Sequence, residues 1–221
     1  MKFDLIYFFG EFPRLIVKVP YTLFLGVWAF IAAMLMGLLL ALAKQSRFRL
    51  LRGASNLYVS FFRSTPYITQ LFIMYFGLPQ IIYSMREMSA QTALILSISM
   101  NSAAFISEIL RGGLLSVDKG QMEAALSVGM SKLQALRTIV LPQAFTVALP
   151  ALGNSFISMI KSTAMGFTIG VVELLAKAKI GSAKSYCYLE SYVAVGLIYW
   201  GMMIVIGYFQ RKLEKRMGRY L

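Results

Sequence analysis

Histidine is absent from this chain of 221 residues, and cysteine occurs once, at Cys187. The first absence excludes a histidine-ligated metal centre and a histidine-based catalytic triad. The second excludes an internal disulfide framework. Acidic residues are scarce: nine, scattered, against 22 lysines and arginines. No phosphate-binding glycine loop occurs, so any nucleotide chemistry has to come from another chain. Repeats, low-complexity tracts and a soluble domain are not evident. The first residues lack the charged, apolar, small-residue order of a cleaved signal peptide.

Apolar residues fill the remainder. They make up 58% of the chain, with a mean hydropathy of +0.69, where soluble domains run about 45–50% apolar. The chain reads as an all-α integral membrane protein. Its net charge of +13 then fits cytoplasmic loops that set topology and meet anionic membrane lipid, not a nucleic-acid surface.

Residues 1–20 mix Asp4, Glu11 and Arg14 with phenylalanines and leucines, which predicts an N-terminal interfacial helix. Residues 21–221 are expected to form the transmembrane domain. Tyr21 to Ala43 is uncharged and long enough to cross a hydrocarbon core of about 30 Å. Gly26 and Gly37 in it are candidates for close helix packing. Further spans are expected from Asn56 to Tyr83, Met88 to Ile109, Leu141 to Ile160 and Tyr192 to Phe209, giving five transmembrane helices. Pro66 is read as tolerable in the first turns of the second span, and Pro150 as a kink in the fourth. Ser162 to Val172 is uncharged but short, as in a re-entrant or interfacial piece.

Five spans put the two ends on opposite sides. With the N-terminus outside, the segments 44–55, 110–142 and 210–221 are cytoplasmic and carry thirteen lysines and arginines; the outer segments carry eight. This imbalance favours an outer N-terminus and a cytoplasmic C-terminus.

The cytoplasmic loop 111–142 holds GQMEAALSVGMSKLQALRTIVLP, from Gly120 to Pro142. It is too polar to span a bilayer. Met122 to Val128 favours a helix with Glu123 in its first turn, where a carboxylate suits the positive helix end. Gly129 permits a bend, Ser131 caps a second helix, and Pro142 suits the first turn of the next. The pattern Glu123-Ala124-Ala125, three residues, Gly129, nine residues, Ile139, one residue, Leu141-Pro142 resembles the EAA motif of permease subunits in bacterial ABC importers. Three further segments resemble the polar amino-acid (histidine-glutamine-arginine-type) permeases: Phe62-Arg63-Ser64-Thr65-Pro66, with Ser64 in the usual glycine position; Glu108, Arg111 and Gly112-Gly113; and Lys161-Ser162-Thr163.

The resemblance implies an ATPase-coupling role for Glu123, Ala124, Ala125, Gly129, Ile139, Leu141 and Pro142. It also implies partners: an ABC ATPase dimer that uses ATP and Mg, a second permease subunit (a copy or a paralogue), an extracytoplasmic amino-acid-binding protein and a polar amino acid. This chain would bind no cofactor and would not be an enzyme. The location implied is the bacterial cytoplasmic (inner) membrane.

Two polar stripes mark a candidate substrate path. Ser97, Asn101 and Glu108 share a face of the third span, and Asn154, Ser158 and Lys161 share a face of the fourth. Polar groups in a membrane tend to face a cavity or bundle interior. Asn101, Asn154, Ser158, Lys161 and Thr163 are the substrate-pathway candidates, with Lys161 as the cation for a carboxylate. Arg63, Pro66, Glu108 and Arg111 are read as gating or structural, Glu108 pairing with Arg111 three residues on. A secondary amino-acid transporter or small channel subunit is the alternative. Five spans are few for an inverted-repeat transporter, and no second buried carboxylate is expected to serve as a proton relay. An intramembrane hydrolase lacks any evident base for its serines or cysteine.

Overall fold

A computed structural model describes residues 3–218, all helices and connecting turns, with no strand among the described residues. Lys2 and Arg219, which enter the loop-charge balance, lie outside them. The helices are α1 Leu5–Ile16, α2 Val19–Lys44, α3 Arg49–Ser64, α4 at residues 67–81, α5 Ala90–Ser116, α6 Lys119–Ser127, α7 at residues 132–162, α8 Leu174–Ser185 and α9 Tyr188–Met217. A 3-10 stretch, Thr163–Ile169, continues α7 and turns at Gly170, whose φ is +87°.

Among the described residues, four helices are long and apolar enough to cross a membrane: α2, α5, residues 132–169 and α9. The frame is α2, α5 and α7. The buried face of α2 is mostly small: Thr22, Gly26, Ala29, Ala33, Gly37 and Ala41, with Leu25 beside them. In lipid, close backbone approach replaces the hydrophobic effect as the main source of helix association. Both expected glycines serve this purpose. A Cβ built on Gly26 would come 2.7 Å from Ile160 Cγ1 of α7, and one on Gly37 2.7 Å from Ile106 Cγ2 of α5. Ser99 of α5 donates to the Ala29 carbonyl at 3.1 Å. At the other end of α5, a Cβ on Gly113 would come 2.5 Å from the Ala144 carbonyl oxygen of α7.

The expected span Asn56–Tyr83 is not one helix. Thr65 is extended (φ −108°, ψ 146°), and Pro66 starts a new helix. A residue before proline is pushed out of the helical region, and Pro66 has no N–H to continue the ladder. The following α4 has fifteen residues with a π-helical stretch at Ile73–Gly77. At 1.5 Å per residue α4 alone reaches ~22 Å, short of a hydrocarbon core. Tyr21 OH donates to Gln91 Oε1 at 2.9 Å, so α2 and α5 start on the same side, and α3 with α4, as a broken pair, brings the chain back between them.

A second cluster joins α1, α8 and α9 through Leu15, Leu174, Ala178, Ala194, Val195 and Ile198. Asp4 N–H donates to Glu190 Oε1 at 2.9 Å, and Tyr7 shares hydrogen bonds with Ser185 and Ser191. Glu173 caps α8 by accepting from Ala176 N–H at 3.0 Å; it also accepts from Tyr199 OH at 2.7 Å and Thr22 Oγ1 at 3.3 Å. From the sequence, no second buried carboxylate is expected to serve as a proton relay. Glu173, Glu11 and Glu190 are all buried. The three donors around Glu173 explain how a carboxylate is held there: it ties α2, α8 and α9 at one junction.

Gly113 and Gly112 give a paired test of the frame. Gly113→Val forces α5 off α7 and should destabilise the chain by about 1–3 kcal/mol. Gly112→Ala, with nothing within 4 Å, should be neutral or slightly stabilising. Thermal unfolding in one detergent checks both; equal midpoints for the two variants would contradict the close α5–α7 contact.

Candidate functional site

The polar loop folds as an elbow. Asp118 caps α6 by accepting from Gly120 N–H at 2.7 Å. At the far end Met130 N–H bonds to the Ala125 carbonyl at 3.1 Å and Gly129 N–H to the Leu126 carbonyl at 3.0 Å. Gly129 has φ +85°. This is a Schellman ending, in which a left-handed residue follows the helix, and glycine alone takes that conformation without a Cβ penalty. Two residues later Ser131 and Gln134 form a reciprocal capping box, Gln134 N–H to Ser131 Oγ at 3.3 Å and Ser131 N–H to Gln134 Oε1 at 2.9 Å. Stop and restart thus lie two residues apart.

The second arm has no break before the span. It runs as Lys132–Ala135, a π-helical stretch Leu136–Val140, then Leu141–Ser162. The wider π turn lies just before Pro142, which has no N–H to donate. On the elbow, Glu123, Ala124, Gly129 and Ser131 are exposed and Ala125 is buried. Ile139 is half-buried; Leu141 and Pro142 are exposed. Leu126, Val128 and Leu133 also stand exposed, Val128 at 79%. These three apolar side chains stand among the elbow's polar ones.

An open groove of about 510 Å³ lies between α3, α5 and α7, with Arg63, Phe105, Asn154 and Ser158 exposed along it. Arg63, Asn101, Glu108, Asn154 and Ser158 line it, with Ser102, Ser155 and Ser162. The structure therefore brings together most of the two predicted stripes. Lys161 is not among the lining residues and is exposed. Asn154, seven residues earlier and within ~20° on the helix, does line the groove, so Lys161 differs from it in position along α7 and not in face. Thr163 is fully buried and donates to the Ile160 carbonyl at 2.7 Å. Ser97 is buried in the bundle, away from this lining.

The groove's charges differ in how they are held. Glu108 accepts from Lys44 of α2 and from Arg111, at 2.8 Å to Nη2 and 3.1 Å to Nε. Two cations compensate it. The guanidinium of Arg63 lies 5.7 Å from the centre of the Phe105 ring; among the described residues it joins no ion pair. Asn101 is committed to the break before Pro66. Its Nδ2 donates to the Phe62 carbonyl at 3.1 Å and to Gln70 Oε1 at 2.9 Å. Gln70 in turn donates to the carbonyls of Phe62 and Thr65, each at 3.1 Å. A helix broken at membrane depth leaves carbonyls that must find donors, and these two amides supply them. Gln70 is a site residue that the sequence motifs do not single out. Its signal is a lone amide four residues after Pro66 in an apolar run, since such groups are rare in membrane helices.

Comparison with known proteins fixes the class. Residues 33–219 match the family described as the inner membrane component of binding-protein-dependent transport systems. The chain belongs to this family. It is 44% identical over 216 residues to "Probable amino-acid permease protein YxeN" of Bacillus subtilis (strain 168), covering 98% of this chain and 96% of that one. It is 36% identical to the L-cystine transport system permease protein TcyL of the same organism, covering 95% and 90%. The fold superposes on a solved amino acid ABC transporter with histidines at a TM-score of 0.89, with 36% identity over 98% of this chain and 100% of the other. As an inner-membrane transport component it is a permease and not itself an enzyme. Its family implies, in general terms, ATPase and binding-protein partners.

Replacing Gln70 tests the broken-helix reading. Gln70→Leu keeps volume but removes both donors, and should lower stability by about 1–3 kcal/mol. Denaturant unfolding in mixed micelles checks it. An unchanged midpoint would mean that water or a partner supplies those donors.

Proposed function

We propose that this permease is the membrane-spanning subunit of an ATP-driven importer that moves a polar amino acid across the bacterial cytoplasmic membrane by alternating access. The observation that carries the proposal is the elbow: a helix ended by Gly129 and restarted at Ser131, with an exposed apolar patch, rigidly continuous with a helix of the bundle. Glu123, Ala124, Ala125 and Gly129 shape its first arm. Ile139, Leu141 and Pro142 form the joint that carries its movement into α7. The nucleotide chemistry, ATP with Mg, belongs to an ATPase dimer seated on the elbow. The remaining partners are a second permease subunit and an extracytoplasmic amino-acid-binding protein. The relatives named for amino-acid and cystine transport support the substrate class.

The groove serves as the inner solute path. Arg63 offers a cation to the solute's carboxylate, and Asn154 and Ser158 offer hydrogen bonds to its remaining polar groups. Lys161 is an outer-end cation beyond the path. Asn101 and Gln70 hold the wall, and Glu108 with Lys44 and Arg111 pins the inner ends of α2 and α5. The N-terminus is placed outside and the C-terminus in the cytoplasm, with α1 and residues 161–190 at the outer surface.

One assay on the complete importer in vesicles separates path from coupling. Gly129→Val puts a β-branched side chain at φ +85°, which such residues resist. It should lose the ATPase or its stimulation by loaded binding protein. Arg63→Gln should keep basal ATP hydrolysis and cut uptake at least ~10-fold, the value of one charge-assisted hydrogen bond. Full stimulation in Gly129→Val would overturn the coupling role; normal uptake by Arg63→Gln would overturn the path.

A further inference from the structure

A second groove, of about 560 Å³, lies between α2 and α7 and reaches the end of α5. Leu38, Leu42, Leu114 and Phe145 are typical of its walls, and its polar lining residues are Gln45 and Arg137. The two helices run antiparallel here. Gly26 abuts Ile160, so Gln45, nineteen residues further along α2, arrives level with the start of the Leu141–Ser162 segment, close to Arg137. Both polar residues thus sit at one end. From Met34 to Gln45 the apolar slot extends ~16 Å along α2. The ion pairs among the described residues engage Arg14, Lys44 and Arg111, leaving Arg137 without one.

We propose that this groove binds one anionic phospholipid, its head against Arg137 and one acyl chain in the slot. A cation at the mouth of an apolar channel fits an anionic amphiphile in charge and in shape. A second copy of this chain fits poorly. Near that end its carboxylates are occupied or on polar surfaces. Glu108 is held by Lys44 and Arg111, Asp118 caps α6, Glu214 accepts from Gln210, and Glu123 is exposed on the elbow. Arg137 lies in the π-helical stretch that joins the elbow to the bundle, so the bound lipid clamps that joint. Only the leaflet, the cytoplasmic one, rests on the orientation proposed above; the site does not.

The test places a reporter in the slot. The full chain carries Trp28→Phe, Trp200→Phe and Leu38→Trp, and is reconstituted in phosphatidylcholine vesicles. Brominated-chain phosphatidylglycerol or brominated-chain phosphatidylcholine is added at equal mole fraction. Phosphatidylglycerol should quench with about fivefold preference, the value of one basic residue facing anionic lipid. Arg137→Gln should bring the preference to parity, and Arg137→Lys should restore most of it. Equal quenching by both lipids, or a preference that survives Arg137→Gln, overturns the proposal. Quenching by neither shows a groove covered by protein, such as a second permease, and overturns it too. Sidedness plays no part in this readout, so failure here is distinct from failure of the orientation.

Discussion

Close backbone approach around α5 is the constraint on which the rest depends. Helices in lipid gain little from burying apolar side chains against each other, since lipid does the same. α5 meets α2 at Gly37 and Ala29, and α7 at Gly113. These contacts fix α7 relative to the frame. Because α7 continues through the π stretch to Ser131, they also fix where the elbow stands. The same helices supply two walls of the polar groove. Elbow and groove are therefore joined through α7, which is what the proposed coupling requires.

The polar network at the α3–α4 break has a complementary role. Pro66 interrupts the backbone ladder, and Asn101 and Gln70 satisfy the Phe62 and Thr65 carbonyls. This turns a liability at membrane depth into a defined corner that aims Arg63 into the groove. Polar groups whose partners are all made hold one geometry, whereas a half-satisfied network does not.

Much of this was legible in the chain. Gly26 and Gly37 sit in an uncharged run with small neighbours, so close packing follows from composition. Gly129 followed by Ser131 and Gln134 spells a helix stop and a capping box locally. The Glu108–Arg111 pair follows from helical spacing. Less legible was anything decided by tertiary partners. The run 56–83 is apolar enough to read as one span, and only the pre-proline geometry of Thr65 breaks it. Lys161 shares a stripe with Asn154 by periodicity, yet Asn154 lines the groove and Lys161 does not, a difference along the helix that hydropathy does not reveal. Glu173 lies in a mixed segment and is buried because Thr22 and Tyr199, distant in sequence, converge on it.

Everything functional in this account requires the elbow to face the side where ATP is hydrolysed. Site-directed thiol labelling in intact cells measures that directly. Ser131→Cys, in a Cys187→Ser background, should resist a membrane-impermeant maleimide until the membrane is opened. Native Cys187 should react from outside. Labelling of residue 131 in intact cells, or of both positions from one side, would contradict the account.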